Sequence, residues 1–157
     1  MKEIKLTQGQ VALVDDDMFE ELNQFKWYAR KDRRTYYAER TERTDGKRIC
    51  VQMHRMILKP QTGYDTDHID GDGIHNWRDN LRYATPGQNA ANLKKRSGTS
   101  SIFKGVYWNE REKKWRAMIG KDGIRFYLGG YENEIEAAHV YDNKAKELFK
   151  EFALTNF

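Results

Sequence analysis

The stretch 66-TDHIDGDGIHNWRDNLRYATPGQN-89 decides how this chain is read. It sets two histidines, His68 and His75, among the aspartates Asp67, Asp70, Asp72 and Asp79. Three asparagines follow: Asn76, Asn80 and Asn89. Gly71 and Gly73 punctuate it. The chain around it is basic, with a net charge of +4 and a pI near 9.1. Such a loop could be a calcium loop, a metal-dependent catalytic centre, or a polar turn.

The calcium reading fails on spacing. An EF-hand loop needs acids or amides at alternate positions, then glycine, then a distal glutamate. Starting at Asp65 or at Asp70, an isoleucine (Ile69 or Ile74) takes the third ligand position. Asp70 or His75 then stands where glycine belongs. Neither start has the distal glutamate. Zinc prefers Cys and His, and the two histidines lack partners at finger spacing. The oxygen-rich set Asp67, Asp70, Asp72, Asn76, Asn80 and Asn89 suits one hard cation, Mg²⁺ or Mn²⁺. A plain turn would have no need of His68 beside Asp67, or of Asn89 at the start of a capped helix.

Working outward, NLRYAT reads as a short strand. Thr85 as N-cap, Pro86 at the first helical position and Gln88 start a helix through GQNAANLKK. The order is strand, long loop, strand, helix. Neighbours on a strand point to opposite sides, so Asp67 would ligate the metal while His68 faces another part of the site. Asn89, in the first turn of a helix folding back, would bring its carbonyl near Asp67. His68, neutral near pH 7, would take a proton from the attacking water. Asn80 would brace the loop and orient the imidazole. Asp72 reads as a turn cap. His75 reads as a surface or phosphate-contacting residue. His54, beside Arg55, is either a packed structural histidine or faces nucleic acid.

The flanking segments complete an α+β plan. Residues 1–52 read as a β-rich antiparallel meander: KLTQGQVALVDD, then WYAR and YYAERT around the turn KDRRT. Asp45-Gly46 is a hairpin signal, leading into a third strand, RICVQMHRMIL. DMFEELNQF is a short helix or an irregular link. Residues 94–101, KKRSGTSS, are a basic linker. In 102–157, FKGVYW, KKWRAMIG and IRFYLGGY are three strands. A helix follows from Asn133, with Glu136 completing a capping box and Ala138, Tyr141, Ala145, Leu148 and Phe152 on one face. The expected organisation is therefore 1–93 (1–52 and 53–93), a linker 94–101, and 102–157.

Charge divides along the same lines. Residues 94–125 carry ten Lys/Arg against three acids, whereas 53–93 carry four against five aspartates. Carboxylates to hold a metal beside cations to hold phosphates is the division a nuclease needs. One cysteine, Cys50, excludes an internal disulfide and points to a reducing compartment. The N-terminus has no leader-like apolar run, and no segment is long and apolar enough for a membrane span. The expectation is a cytoplasmic protein of a bacterial or phage-infected cell.

The stretch DHIDGDGIHNWRDNLRYATPGQN resembles the HNH endonucleases and their ββα-metal finger, in the HNN subgroup. Asp67-His68, Gly71, Asn76, Asn80-Leu81-Arg82, Thr85 and Asn89 carry the likeness. MHRMIL resembles the His-Arg strand that often leads into the motif. The resemblance implies Asp67 and Asn89 as metal ligands, His68 as general base and Asn80 as the loop-fixing residue. It also implies a homing-type, phage- or intron-associated role. Residues 102–157 resemble an AP2 DNA-binding domain, through Gly105-Val106, Trp115, Leu128-Gly129, Glu136-Ala137-Ala138, Tyr141-Asp142 and Asn156-Phe157. That likeness implies a sheet laid in the major groove with its helix behind. By position, Lys104, Tyr107, Arg116, Met118, Arg125 and Tyr127 would face double-stranded DNA, with Arg55 and His75 contacting it from the nuclease part. Tyr107 and Met118 depart from the residues usual there, so the plant family's sequence preference does not transfer. One metal centre per chain favours nicking by a monomer over a dimer. The competing expectation is a catalytically inactive DNA-binding regulator; a third, an RNA-binding domain, sits poorly with the AP2-like sheet.

Overall fold

The computed structural model describes residues 1–32 and 35–157. Arg33 and Arg34, in the expected KDRRT turn, lie outside the described residues. The described residues form an α+β protein: small antiparallel sheets with four α-helices. It packs as two compact units, Met1–Thr85 and Pro86–Phe157.

In the first unit β1 (Lys2–Lys5) pairs with β2 (Val11–Val14) as a separate hairpin. Helix α1 (Phe19–Asn23) follows. Strands β3 (Tyr28–Lys31), β4 (Tyr36–Thr44) and β5 (Lys47–Gln52) form a second sheet in that order. The expected meander is thus split in two. The Asp45-Gly46 turn forms as read, with both residues at positive φ (51° and 74°), as a two-residue hairpin loop requires. Ile4, Ala12, Val14, Leu22, Trp27, Ala38 and Met53 make the core.

The expected third strand is too long. It stops at Gln52, and MHRMIL is helix α2 (Met53–Leu58). The cause is the period of its apolar residues. Met53 is buried and Met56 and Ile57 pack on the same core, a three- and four-residue spacing that a helix presents to one side and a strand does not. Lys59 at φ 50° ends the helix ahead of Pro60. His54 is therefore a helical residue, and it is buried. Next, β6 (Asp65–His68) pairs with β7 (Leu81–Ala84), joined by a loop that ends in a single 3-10 turn at Arg78–Asn80.

The second unit begins with α3 (Pro86–Ala91), shorter than GQNAANLKK suggests. Its end is used within this unit: the Ala91 carbonyl accepts from Leu154 N (3.3 Å) and from the Lys104 ammonium. The contact division thus falls at Thr85/Pro86, whereas the linker read from sequence lies at 94–101. Strands β8 (Val106–Asn109), β9 (Lys114–Lys121) and β10 (Ile124–Tyr131) form a sheet with β9 central. Helix α4 (Glu134–Phe149) covers it, packing Ala137 and Ala138 on Val106 and Ala117. The Asn133 side chain caps α4 by accepting from Ile135 N at 2.8 Å. Buried Asp142 anchors the tail: its carboxylate accepts from Asn156 N (2.9 Å) and Phe157 N (3.0 Å). Among the described residues, no helix is long and apolar enough to cross a membrane.

Candidate active site

Asp67 and His68 close β6, where Asp67 lies opposite Arg82 and His68 opposite Leu81. The alternation of a strand sends the carboxylate and the imidazole to different sides. Both are buried, at 4% and 5% exposed, so each needs a polar partner. Asp67 Oδ2 accepts from Arg82 Nε and Nη2, both at 2.8 Å. Oδ1 lies outside that ion pair.

His68 Nε2 donates to Asn76 Oδ1 at 3.1 Å. The His54 ring stands edge-on to it, with centroids 5.0 Å apart and planes 80° apart. The Tyr37 ring lies 6.0 Å away. Burial holds the His68 pKa below the ordinary histidine value, against the opposing pull of the Asn76 bond and of Asp70, Asp67 and Asp72. His54 is pushed down to about 3, chiefly by burial, with His68, Arg55 and Arg30 adding to it. Both rings are therefore neutral at physiological pH. A buried neutral imidazole retains a lone pair, which is the property a proton acceptor needs.

The loop between β6 and β7 is tied down from within. Asn80 Oδ1 accepts from Asp70 N (3.2 Å), while its Nδ2 donates to Asp70 Oδ1 (3.0 Å) and His75 O (2.9 Å). Asp70 Oδ2 pairs with His75 Nδ1 at 2.7 Å. Burial tends to raise the Asp70 pKa, but the bonds from Asp72 N, His75 and Asn80 outweigh it and hold it low. Strand β2 reaches the same loop, since Leu13 N donates to Ile74 O (2.9 Å) and Asn76 N to Leu13 O (2.7 Å). Gly73 is required there, because a Cβ would come within 2.5 Å of Tyr36 O and the Tyr37 ring.

The first unit thus brings together Asp67, His68 and Asn80. Asn80 braces the loop, but Asn76 is the residue that meets the imidazole. Asn89 lies on α3, in the second unit. His75 stands at the loop surface, its ring tilted 36° to that of Trp77 with centroids 5.0 Å apart. Arg55 is half exposed on α2 and paired with Asp65 at 3.6 Å. Sequence reasoning missed Arg82, although a residue opposite Asp67 in a strand pair was open to deduction from register. It placed Asn76 only in the oxygen-rich set for a cation, because nothing local marks which loop amide turns inward.

In the second unit, one sheet face carries Tyr107, Arg116, Met118, Arg125 and Tyr127. Trp115, Ala117, Ile119, Phe126 and Leu128 alternate with them on the other face, where Ala117 and Leu128 meet α4. Tyr107 lies opposite Arg116, and Met118 opposite Tyr127. The Arg116 guanidinium stacks 5.0 Å over the Tyr127 ring and pairs with Glu112. Lys104 lies outside this face, its ammonium donating to the Ala91 and Leu154 carbonyls.

Among the described residues, no three His, Cys, Asp or Glu side chains gather to hold a metal. Asp67 is a carboxylate, a hard ligand of the kind Mg²⁺ or Mn²⁺ takes.

An adjacent carboxylate and neutral imidazole on a braced two-stranded ribbon is the equipment of a hydrolytic centre. Comparison with known proteins names the class. The chain is 34% identical over 155 residues to an uncharacterized HNH endonuclease of Acanthamoeba polyphaga mimivirus, spanning 95% of this chain and 76% of that protein. It is 32% identical over 91 residues to Protein 3.8 of Escherichia phage T7, spanning 58% of this chain and 74% of that one. No protein-family model matches. The chain belongs to the HNH endonuclease family.

Proposed function

We propose that the protein is a divalent-metal-dependent DNA endonuclease of viral type that nicks duplex DNA as a monomer. The observation that carries this reading is the pairing of Asp67 with a buried, neutral His68 on one strand of a family member. His68 takes a proton from water as its oxygen attacks phosphorus. The P–O3′ bond then breaks, leaving a 5′-phosphate, and the departing 3′-oxygen takes a proton from solvent to become a hydroxyl. Asp67 would hold the cation, and Arg82 orients Asp67 by fixing Oδ2; Asn89 is the second ligand that the family resemblance implies. A bound Mg²⁺ or Mn²⁺ would stabilise charge on the phosphate and the departing 3′-oxygen. Asn80 keeps the loop in shape through Asp70 and His75.

The second unit holds the duplex in an AP2-like manner, through the face of Tyr107, Arg116, Met118, Arg125 and Tyr127. Its aromatic and cationic composition suits base-edge and phosphate contacts. Arg55 and His75 add contacts beside the cutting centre. The pairing of a cutting and a holding unit matches a homing-type enzyme. The test is cleavage of supercoiled plasmid or phage DNA with Mg²⁺ or Mn²⁺ and with chelator. Nicked circles that need metal and His68 support the reading. A protein that binds the DNA and never nicks it under any divalent cation is a regulator instead.

A further inference from the structure

Asn76 is 1% exposed, one of the most deeply buried polar side chains in the first unit. Its amide makes one side-chain hydrogen bond among the described residues, accepting from His68 Nε2 at 3.1 Å. Its Nδ2 is buried without a partner among them. A buried amide donor left unpaired lowers stability, and an apolar residue of similar size would avoid that loss. The fold keeps an amide here regardless. Its backbone explains where the side chain sits but not why it is polar: the N–H donates to Leu13 O at 2.7 Å whatever the side chain is.

The chemistry of the contact is specific. A carbonyl oxygen only accepts, so the ring nitrogen facing it carries the hydrogen. In a neutral imidazole the other nitrogen, Nδ1, then holds the lone pair. His54 and Tyr37 restrict the ring from its flank, at 5.0 and 6.0 Å between centroids. We propose that Asn76 is a positioning residue that fixes His68 in its Nε2–H tautomer and so makes Nδ1 the atom that accepts the proton. Asn80, by contrast, shapes the loop and does not touch the ring. The inference rests on the reading of His68 as general base.

Ring ¹⁵N shifts of His68 in the full chain test it, at fixed neutral pH, alongside steady-state cleavage. The wild-type ring shows a protonated Nε2 and a lone-pair Nδ1. In Asn76→Ala the two tautomers mix and kcat falls about tenfold to a hundredfold with KM unchanged, as for loss of an orienting partner. Asn76→Asp keeps the acceptor, and returns both the Nε2–H tautomer and most of kcat. A wild-type ring protonated at Nδ1 overturns the inference, as does an alanine variant with undiminished kcat. The wild-type spectrum decides even where a variant fails to fold. The two readings fail separately: cleavage by His68→Ala at the wild-type rate sinks the base assignment, while the tautomer stands or falls on its own spectrum.

Discussion

The β6–β7 ribbon and the β8–β10 sheet use polar residues in opposite ways. Around the ribbon the polar groups are inside: Asp67, His68, His54, Asn76 and Asn80 are all at most 5% exposed. Two of them, His54 Nδ1 and Asn76 Nδ2, have no partner among the described residues. The sheet does the reverse. Its inner face is aliphatic and aromatic carbon packed on α4, and its arginines lie on the other face, Arg125 exposed and Arg116 partly so. Buried polar groups are a cost that an ordinary core avoids. Their concentration in one place suits geometry held for chemistry, as proposed above, whereas exposed cations on a rigid sheet suit a partner met by diffusion.

That contrast can be broken at several points. The largest expected effect is from His68→Ala. It should lower the single-turnover cleavage rate by about a hundredfold to ten-thousandfold, as loss of a general base does, with duplex affinity unchanged by gel shift. Next is Gly105→Ala. Gly105 sits at φ 75°, and a Cβ there would overlap the Tyr141 ring. The change should cost about 3 kcal/mol or more, melting the second unit while β6 and β7 keep their amide-exchange protection. Arg82→Ala leaves the Asp67 carboxylate buried without its cation. Urea unfolding should show a loss of about 3 kcal/mol, and cleavage should fall with it.

Acid should weaken the first unit through its two buried histidines. His54 sits at about 3 against an ordinary 6.5, and His68 is displaced the same way. The unfolded chain takes up those protons below about pH 6.5 and the folded one does not. The stability that the neutral His54 ring contributes is full above that pH and is lost as pH falls toward 3, by up to about 1.4 kcal/mol per pH unit; His68 acts in the same direction. His54→Phe should flatten the profile between pH 6.5 and 4.5, measured by amide exchange of β6 and β7. The carboxylates held low, Asp70 and Glu39, add their loss only below that window. The smallest effect is from Arg125→Ala, which should weaken duplex binding about tenfold and reduce its salt slope by about one, with the rate at saturation unaltered.

Much of this was legible before any coordinates. The Asp67-His68 pair, the Asp45-Gly46 turn, the three C-terminal strands and the Asn133 cap rest on local rules of alternation, turn chemistry and capping. MHRMIL was misread because six residues of mixed apolar pattern suit either period until the core that claims Met53, Met56 and Ile57 is known. Asn76 and Asn80 lie four residues apart in one loop and look alike in sequence. Only the tether from β2 and the network around Asp70 decide which of them meets the imidazole. The Arg82–Asp67 pair needed the register of two strands separated by a 12-residue loop at 69–80.

The central claim is that the ribbon cuts and that His68 is its base. The most direct measurement is the single-turnover rate of one duplex at saturating protein with Mg²⁺, for wild type and His68→Ala. The account predicts cleavage by wild type and a loss of about a hundredfold or more in the variant, at equal duplex affinity. Equal rates for the two proteins, or no cleavage by wild type with any divalent cation, would contradict it.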